Sequence, residues 1–265
     1  YVRKEVQKLL DKGAVKRVSE KPHCVSPLSI ATRLMPDGTE KRRLCWDGSR
    51  HVNPSLKKVP VRLPGPAIIA EMFQANDLQG VFDVTSYYHH VKLFPDHQQY
   101  VGFQVPDEEG KPIYYIFVAL PFGISPAAAI MARIMKPVIS YVARKGVKLT
   151  VYIDDGRVTG QDRDLVAKQF RFVLEVLERA GFTIAKAKSD TPDDISYRKL
   201  YLGFIWDSQD MQVSISEDKV QQIEGAIGAL CRDRRKISAK ALAAVIGKVI
   251  SVRIAIGSIA QVITR

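Results

Sequence analysis

Leu149-Thr150-Val151-Tyr152-Ile153-Asp154-Asp155-Gly156-Arg157-Val158-Thr159 sets two β-forming runs, 149–153 and 157–159, on either side of Asp154-Asp155-Gly156. Apolar and β-branched residues around an Asp-Gly pair predict a hairpin, with two neighbouring carboxylates at its tip. Adjacent carboxylates repel unless a cation satisfies them. A third acid, Asp83, lies in the predicted buried strand 81–85, where an ionised group is costly unless it is paired or bound to a cation. Three carboxylates on neighbouring strands make an all-oxygen donor set for Mg²⁺, which binds through a few carboxylates together with substrate phosphates. Taken alone, the same residues also read as a plain turn and a capping aspartate.

The flanking sequence predicts a frame of mixed strands and helices. Residues 1–12 carry apolar positions at helical spacing and stop at Gly13, while 26–32 and 41–45 read as strands around Pro36-Asp37-Gly38. A short helix at 66–73 and a strand pair at 100–105 and 113–118 follow. Ser125 opens a long helix reaching Tyr141, with Pro126 in its first turn, and Gly181 ends a second helix over 165–180. Short strands at 183–185, 200–206 and 212–215 precede two helical stretches with Ser216 and Ser238 as candidate N-caps. This order predicts an α+β body with a helical appendage.

A length of 265 residues suits one large domain with sub-parts or two modest ones, and 46% hydrophobic with 26% charged residues excludes disordered, collagen-like and membrane classes. The formal charge of +12 is unevenly placed: residues 1–60 carry +8, 61–215 carry −1 and 216–265 carry +5. Basic ends around a neutral centre suit a groove that grips a phosphate backbone. Cys24, Cys45 and Cys231, an odd number at wide spacing, suggest neither a disulfide framework nor a zinc site and fit a reducing intracellular compartment. No leader or membrane-spanning stretch is seen, and a start at Tyr1 reads as a fragment of a longer polypeptide.

Tyr152-Ile153-Asp154-Asp155 resembles the Y-x-D-D box of reverse transcriptases, and four further blocks follow that family's order. Asp83-Val84-Thr85-Ser86-Tyr87-Tyr88-His89 is similar to its first-aspartate block, and Leu120-Pro121-Phe122-Gly123 to the L-P-F-G block of retrotransposon enzymes. Lys186-Ala187-Lys188 resembles the lysine block, and Tyr201-Leu202-Gly203-Phe204 the block that grips the primer. The likeness runs from about residue 13 to 207, with a weaker similarity of 240–248 to the thumb of DIRS-type enzymes.

The resemblance implies a right-hand polymerase: a palm of antiparallel sheet packed on helices, β-rich fingers and a helical thumb. Fingers would take residues 1–80 with 97–118 returning to them, palm 81–96 and 119–215, and thumb 216–265. It implies two Mg²⁺ ions, with Mn²⁺ as an alternative, held by Asp83, Asp154, Asp155 and the carbonyl of Val84. Arg43 and, one strand earlier, Arg33 would hold the triphosphate, guanidinium forks suiting phosphate oxygens. Lysine is usual at the position of Arg33. Tyr88 would exclude a ribose 2′-hydroxyl, Phe122 and Gly123 would approach the nucleotide, and Lys188, with Lys186 as the second choice, would protonate pyrophosphate. Tyr152, Leu202 and Gly203 would face the primer, and Arg232, Arg234, Arg235, Lys236 and Lys240 the phosphates of a template–primer duplex.

The implied partners are an RNA template with a DNA primer, an RNA/DNA hybrid as product, dNTPs, and an RNase H or other polyprotein domain beyond this chain. The implied activity is RNA-directed DNA synthesis. The alternatives are a catalytically weak, polymerase-derived nucleic-acid-binding module and an RNA-dependent RNA polymerase, which Tyr88 and the L-P-F-G block disfavour. A P-loop phosphotransferase lacks its motif here.

Overall fold

The structure is a computed structural model that describes residues 1–34, 39–232 and 237–263. In chain order it contains α1 (Val2–Asp11), β1 (Val15–Val18), β2 (Leu28–Leu34), β3 (Glu40–Trp46), α2 (Pro66–Glu71), β4 (Leu78–Asp83), α3 (Pro95–Gln98), β5 (Gly102–Pro106) and β6 (Pro112–Phe117). There follow α4 (Ala127–Arg144), β7 (Lys148–Tyr152), β8 (Asp155–Gly160), α5 (Arg163–Arg179), β9 (Arg198–Tyr201), β10 (Phe204–Asp207) and β11 (Gln212–Ile215). Four helices close the chain: α6 (Glu217–Arg232), α7 (Ala239–Ser251), α8 (Arg253–Ile256) and α9 (Ile259–Ile263). The chain divides into two compact units, one of residues 1–62, 84–140 and 177–183, the other of 63–83, 141–176 and 184–265.

In the first unit, β1, β6 and β5 form an antiparallel sheet in that order, and β2 pairs with β3 as a hairpin. Its core gathers Val6, Val15, Trp46, Val52, Phe103 and Phe117, with the Trp46 indole donating to the Gly102 carbonyl at 3.0 Å. The strand β1 is absent from the sequence reading because Val15-Lys16-Arg17-Val18 is too short and too charged to declare itself. Pairing of Val15 with Phe117 is what makes it a strand.

In the second unit, β4, β8 and β7 make an antiparallel sheet whose Phe82 packs near Phe170 of α5, ring centroids 6.3 Å apart. A second sheet of β9, β10 and β11 buries Tyr201, Phe204 and Trp206 with Ile69 and Val252. Gln79 ties the two sheets together: fully buried, it donates to the carbonyls of Tyr197 and Trp206 at 2.7 and 3.1 Å. Each of those bonds satisfies a polar group that would otherwise be costly to bury.

Three local expectations are corrected. The run 200–206 is two strands, because Leu202 and Gly203 adopt φ of +51° and +75° and turn the chain between Tyr201 and Phe204, which pair. Positive φ at both central residues is the hairpin turn whose twist matches its strands. Residues 183–185 lie outside the strands, although Thr85 N donates to Thr183 O and Ala185 N to Asp83 O. The carboxylate hairpin turns one residue earlier than expected, since Tyr152 pairs with Asp155, leaving Ile153 and Asp154 as the turn. Ile153 has φ +55°, a conformation that a β-branched residue rarely adopts and that marks local strain. Ser238 caps α7 as expected, accepting from Ala241 N at 3.2 Å.

Candidate active site

The second unit assembles the acids. Asp83, last residue of β4, stands opposite Asp155, first residue of β8, in antiparallel register, and Asp154 precedes it in the turn. The opposite edge of β4 is clamped by a single loop. Val81 N donates to Asp190 Oδ2 at 2.8 Å and Asp83 N to Ser189 Oγ at 3.0 Å, while Ala185 N donates to Asp83 O at 2.8 Å. From that loop Lys188 reaches back, its ammonium 3.2 Å from Asp83 Oδ2. A cavity of 330 Å³ is lined by Asp83, Asp155 and Lys188 together with Tyr201, Leu202 and Gly203. The positive-φ turn thus borders the carboxylates.

Burial first, then the charges of Asp154 and Asp83, pushes the Asp155 carboxyl up to about 6, with Lys188 opposing. Such a carboxyl is short of positive charge. Among the described residues no group of three or more His, Cys, Asp and Glu side chains is disposed to hold a metal ion. The donor chemistry nevertheless fits a hard divalent cation, because oxygen-only sites for Mg²⁺ use one or two protein carboxylates and draw further oxygens from substrate phosphates and water.

The turn and the hairpin rest on a buried cation that the sequence reading missed. Arg157 is 2% exposed, donates to Gln79 Oε1 at 3.1 Å, and lies 5.4–6.0 Å from the ring centroids of Trp206, Tyr201 and Phe73. Its signal was available: an arginine inside Gly156-Arg157-Val158 poses the same question as Asp83 inside its own strand. Lys219 of α6 was also missed; its ammonium sits 4.0 Å over the Phe204 ring, and burial lowers its pKa.

The first unit gathers the residues expected to meet the nucleotide. Ala31 pairs with Arg43 and Arg33 with Lys41, so Arg33, Lys41 and Arg43 share one face of the β2–β3 hairpin. Lys41 emerges only from this register. Tyr88 is buried and meets Phe122 edge to face at 4.5 Å, while Phe122 is 55% exposed. Gly123 has φ +99°, and a Cβ there would stand 2.3 Å from the Trp46 carbonyl. Asn53, not foreseen, fixes this loop by donating to Gly123 O at 2.7 Å and accepting from Ser125 N at 2.8 Å. Val84 is buried and follows Asp83 directly.

Tyr152 is half-buried opposite Asp155. Arg232 ends α6 and Lys240 lies in the first turn of α7, both exposed; Arg234, Arg235 and Lys236 fall outside the described residues, as does the Pro36-Asp37-Gly38 turn. No helix among the described residues is long and apolar enough to cross a membrane.

Comparison with known proteins adds an independent finding. Residues 50–205 match the family described as reverse transcriptase (RNA-dependent DNA polymerase). The chain is 27% identical over 206 residues to the retrovirus-related Pol polyprotein from transposon opus of Drosophila melanogaster, covering 77% of this chain but 19% of that protein. Among solved structures it is similar to the foamy viral protease-reverse transcriptase dRH in complex with ds DNA, with TM-score 0.73, 18% identity, and coverage of 95% of this chain and 40% of that one. The foamy viral protease-reverse transcriptase in complex with RNA/DNA hybrid gives TM-score 0.70 and 16% identity, covering 95% of this chain and 30% of that one. The fold is therefore the α+β polymerase fold of these enzymes.

Proposed function

The chain belongs to the reverse transcriptase family, and from that premise we propose that it is the polymerase portion of a retrotransposon polyprotein, extending a DNA primer on RNA or DNA templates with dNTPs. The observation that carries this reading is the cross-strand pair of Asp83 and Asp155 on one cavity with Lys188 and the Leu202–Gly203 turn. Asp83, Asp154, Asp155 and the Val84 carbonyl would hold divalent cations, Mg²⁺ or Mn²⁺. Two such ions would supply the positive charge that an in-line phosphoryl displacement needs at its attacking and leaving oxygens.

The chain's own residues supply the rest. Arg43, Arg33 and Lys41 grip the triphosphate from one hairpin face. Tyr88, braced by Phe122, forms the floor under the sugar and leaves no room for a 2′-hydroxyl. Phe122 and the Gly123 backbone flank the nucleotide. Lys188 hands a proton to departing pyrophosphate, and Leu202 and Gly203, with Tyr152, position the primer end. Residues 1–80 and 97–118 act as fingers, 81–96 and 119–215 as palm, and 216–265 as a thumb whose Arg232, Arg234, Arg235, Lys236 and Lys240 follow duplex phosphates. The shortfall against the opus polyprotein leaves room for further domains such as RNase H. Three free cysteines suit an intracellular setting.

Primer extension on an RNA template with Mg²⁺, supplied with dNTPs or rNTPs, tests the proposal. DNA product from dNTPs alone is expected. Product from rNTPs would favour an RNA polymerase, and salt-sensitive binding without extension would favour a binding module.

A further inference from the structure

The first unit contains a cavity of 570 Å³ that the chemistry above does not use. Leu56, Leu93, Leu120, Ile124 and Ile130 form apolar walls, while His23, His51, His97 and Tyr100 supply its polar groups. We propose that this cavity takes an unpaired nucleobase of a bound nucleic-acid strand, an inference that rests on the reading of the chain as a nucleic-acid-binding polymerase.

Its size lies within the ~300–1,000 Å³ of small-ligand pockets, and apolar walls with few polar groups suit a planar ring that must also be hydrogen-bonded at its edge. Imidazole and phenol groups offer both donors and acceptors, as a base edge demands. Lining rings belong to two exposed aromatic pairs. Tyr100 contacts His23 with ring centroids 5.0 Å apart, and Phe94, 63% exposed, contacts His97 at 5.6 Å. Exposed aromatic rings are the platforms on which single-stranded bases stack regardless of sequence.

Charge complements this chemistry. Exposed Lys21, Arg50, Lys57, Lys58 and Lys92 each lie within two positions of a residue lining the cavity, against one acid, Asp96. The segments that line the cavity are thus predominantly basic, which suits a phosphate backbone. A neutral apolar ligand gains nothing from this charge.

The test compares binding of a short 2-aminopurine-bearing single strand with that of the same sugar-phosphate chain lacking all bases, for the wild type, His97→Ala and Tyr100→Ala. The wild type should bind the base-bearing strand more tightly and quench its fluorescence. Each variant should lose at least about fivefold of affinity for that strand, with the quenching, and keep its affinity for the abasic chain, which also reports an intact fold. Equal binding of the two strands by the wild type overturns the pocket and leaves the polymerase reading standing. Variants that weaken both strands alike, or neither, also overturn it. A wild type that binds neither strand overturns both readings.

Discussion

The hydroxyl of Tyr201 donates to the Asp155 carbonyl at 3.2 Å and reaches the Thr150 carbonyl at 3.4 Å, so one phenol holds both strands of the carboxylate hairpin. Burial pushes this phenol well above its ordinary pKa, which keeps it a donor. Tyr201→Phe removes the bond and little volume. We predict a loss of about 1 kcal/mol in denaturant unfolding. Extension should slow by up to about 10²-fold through misplacement of Asp155. An unchanged single-turnover rate would remove Tyr201 from the positioning of the site.

Asp155 makes one contribution to the pH dependence of stability. Its carboxyl, raised from 3.8 to about 6 in the fold, binds its proton more tightly than the unfolded chain does. Stability contributed by this group is therefore full below about pH 4 and lost as pH rises through 6. Asp155→Asn should be more stable than the wild type above pH 6, with the gap closing toward pH 4. Mg²⁺ should raise the wild-type melting temperature above pH 6 and raise that of the variant, which keeps Asp83 and Asp154, by less. Parallel melting curves across this window would contradict the assignment.

Lys188 is 68% exposed, and its ion pair with Asp83 lies near solvent. Such pairs contribute little, so Lys188→Ala should shift stability by no more than about 0.5 kcal/mol. Loss of a proton donor should slow turnover by about 10²-fold or more. Equal activity of the variant and the wild type would assign Lys188 to the surface.

Gly156 lies two residues beyond the Ile153–Asp154 turn, and a Cβ there would stand 2.0 Å from the ring of Phe82, the residue before Asp83. Gly156→Ala should cost about 1–3 kcal/mol by overpacking and should depress activity by pushing β4 from β8. Unfolding titrations that coincide with the wild type would mean the ring swings aside freely.

The acids were legible because each was chemically out of place: a lone charge in an apolar strand and a repelling pair on a turn. The L-P-F-G and Y-x-D-D blocks carried the family for the same reason, being short and local. What stayed hidden depends on pairing. The turn at Leu202–Gly203 lies in the apolar run Tyr201 to Trp206, where no polar residue marks a break. Lys41 joins Arg33 and Arg43 only through the β2–β3 register. Ile153, a residue poorly suited to positive φ, occupies the turn because the flanking ladders override its preference.

The central claim is that Asp83 and Asp154 carry template-directed DNA synthesis. Single-turnover primer extension on an RNA template with Mg²⁺ and dNTPs, comparing the wild type with Asp83→Asn and Asp154→Asn, tests it most directly. The account predicts DNA product from the wild type, and loss of it in both variants while each still binds the primer–template. Undiminished extension by either variant would contradict it.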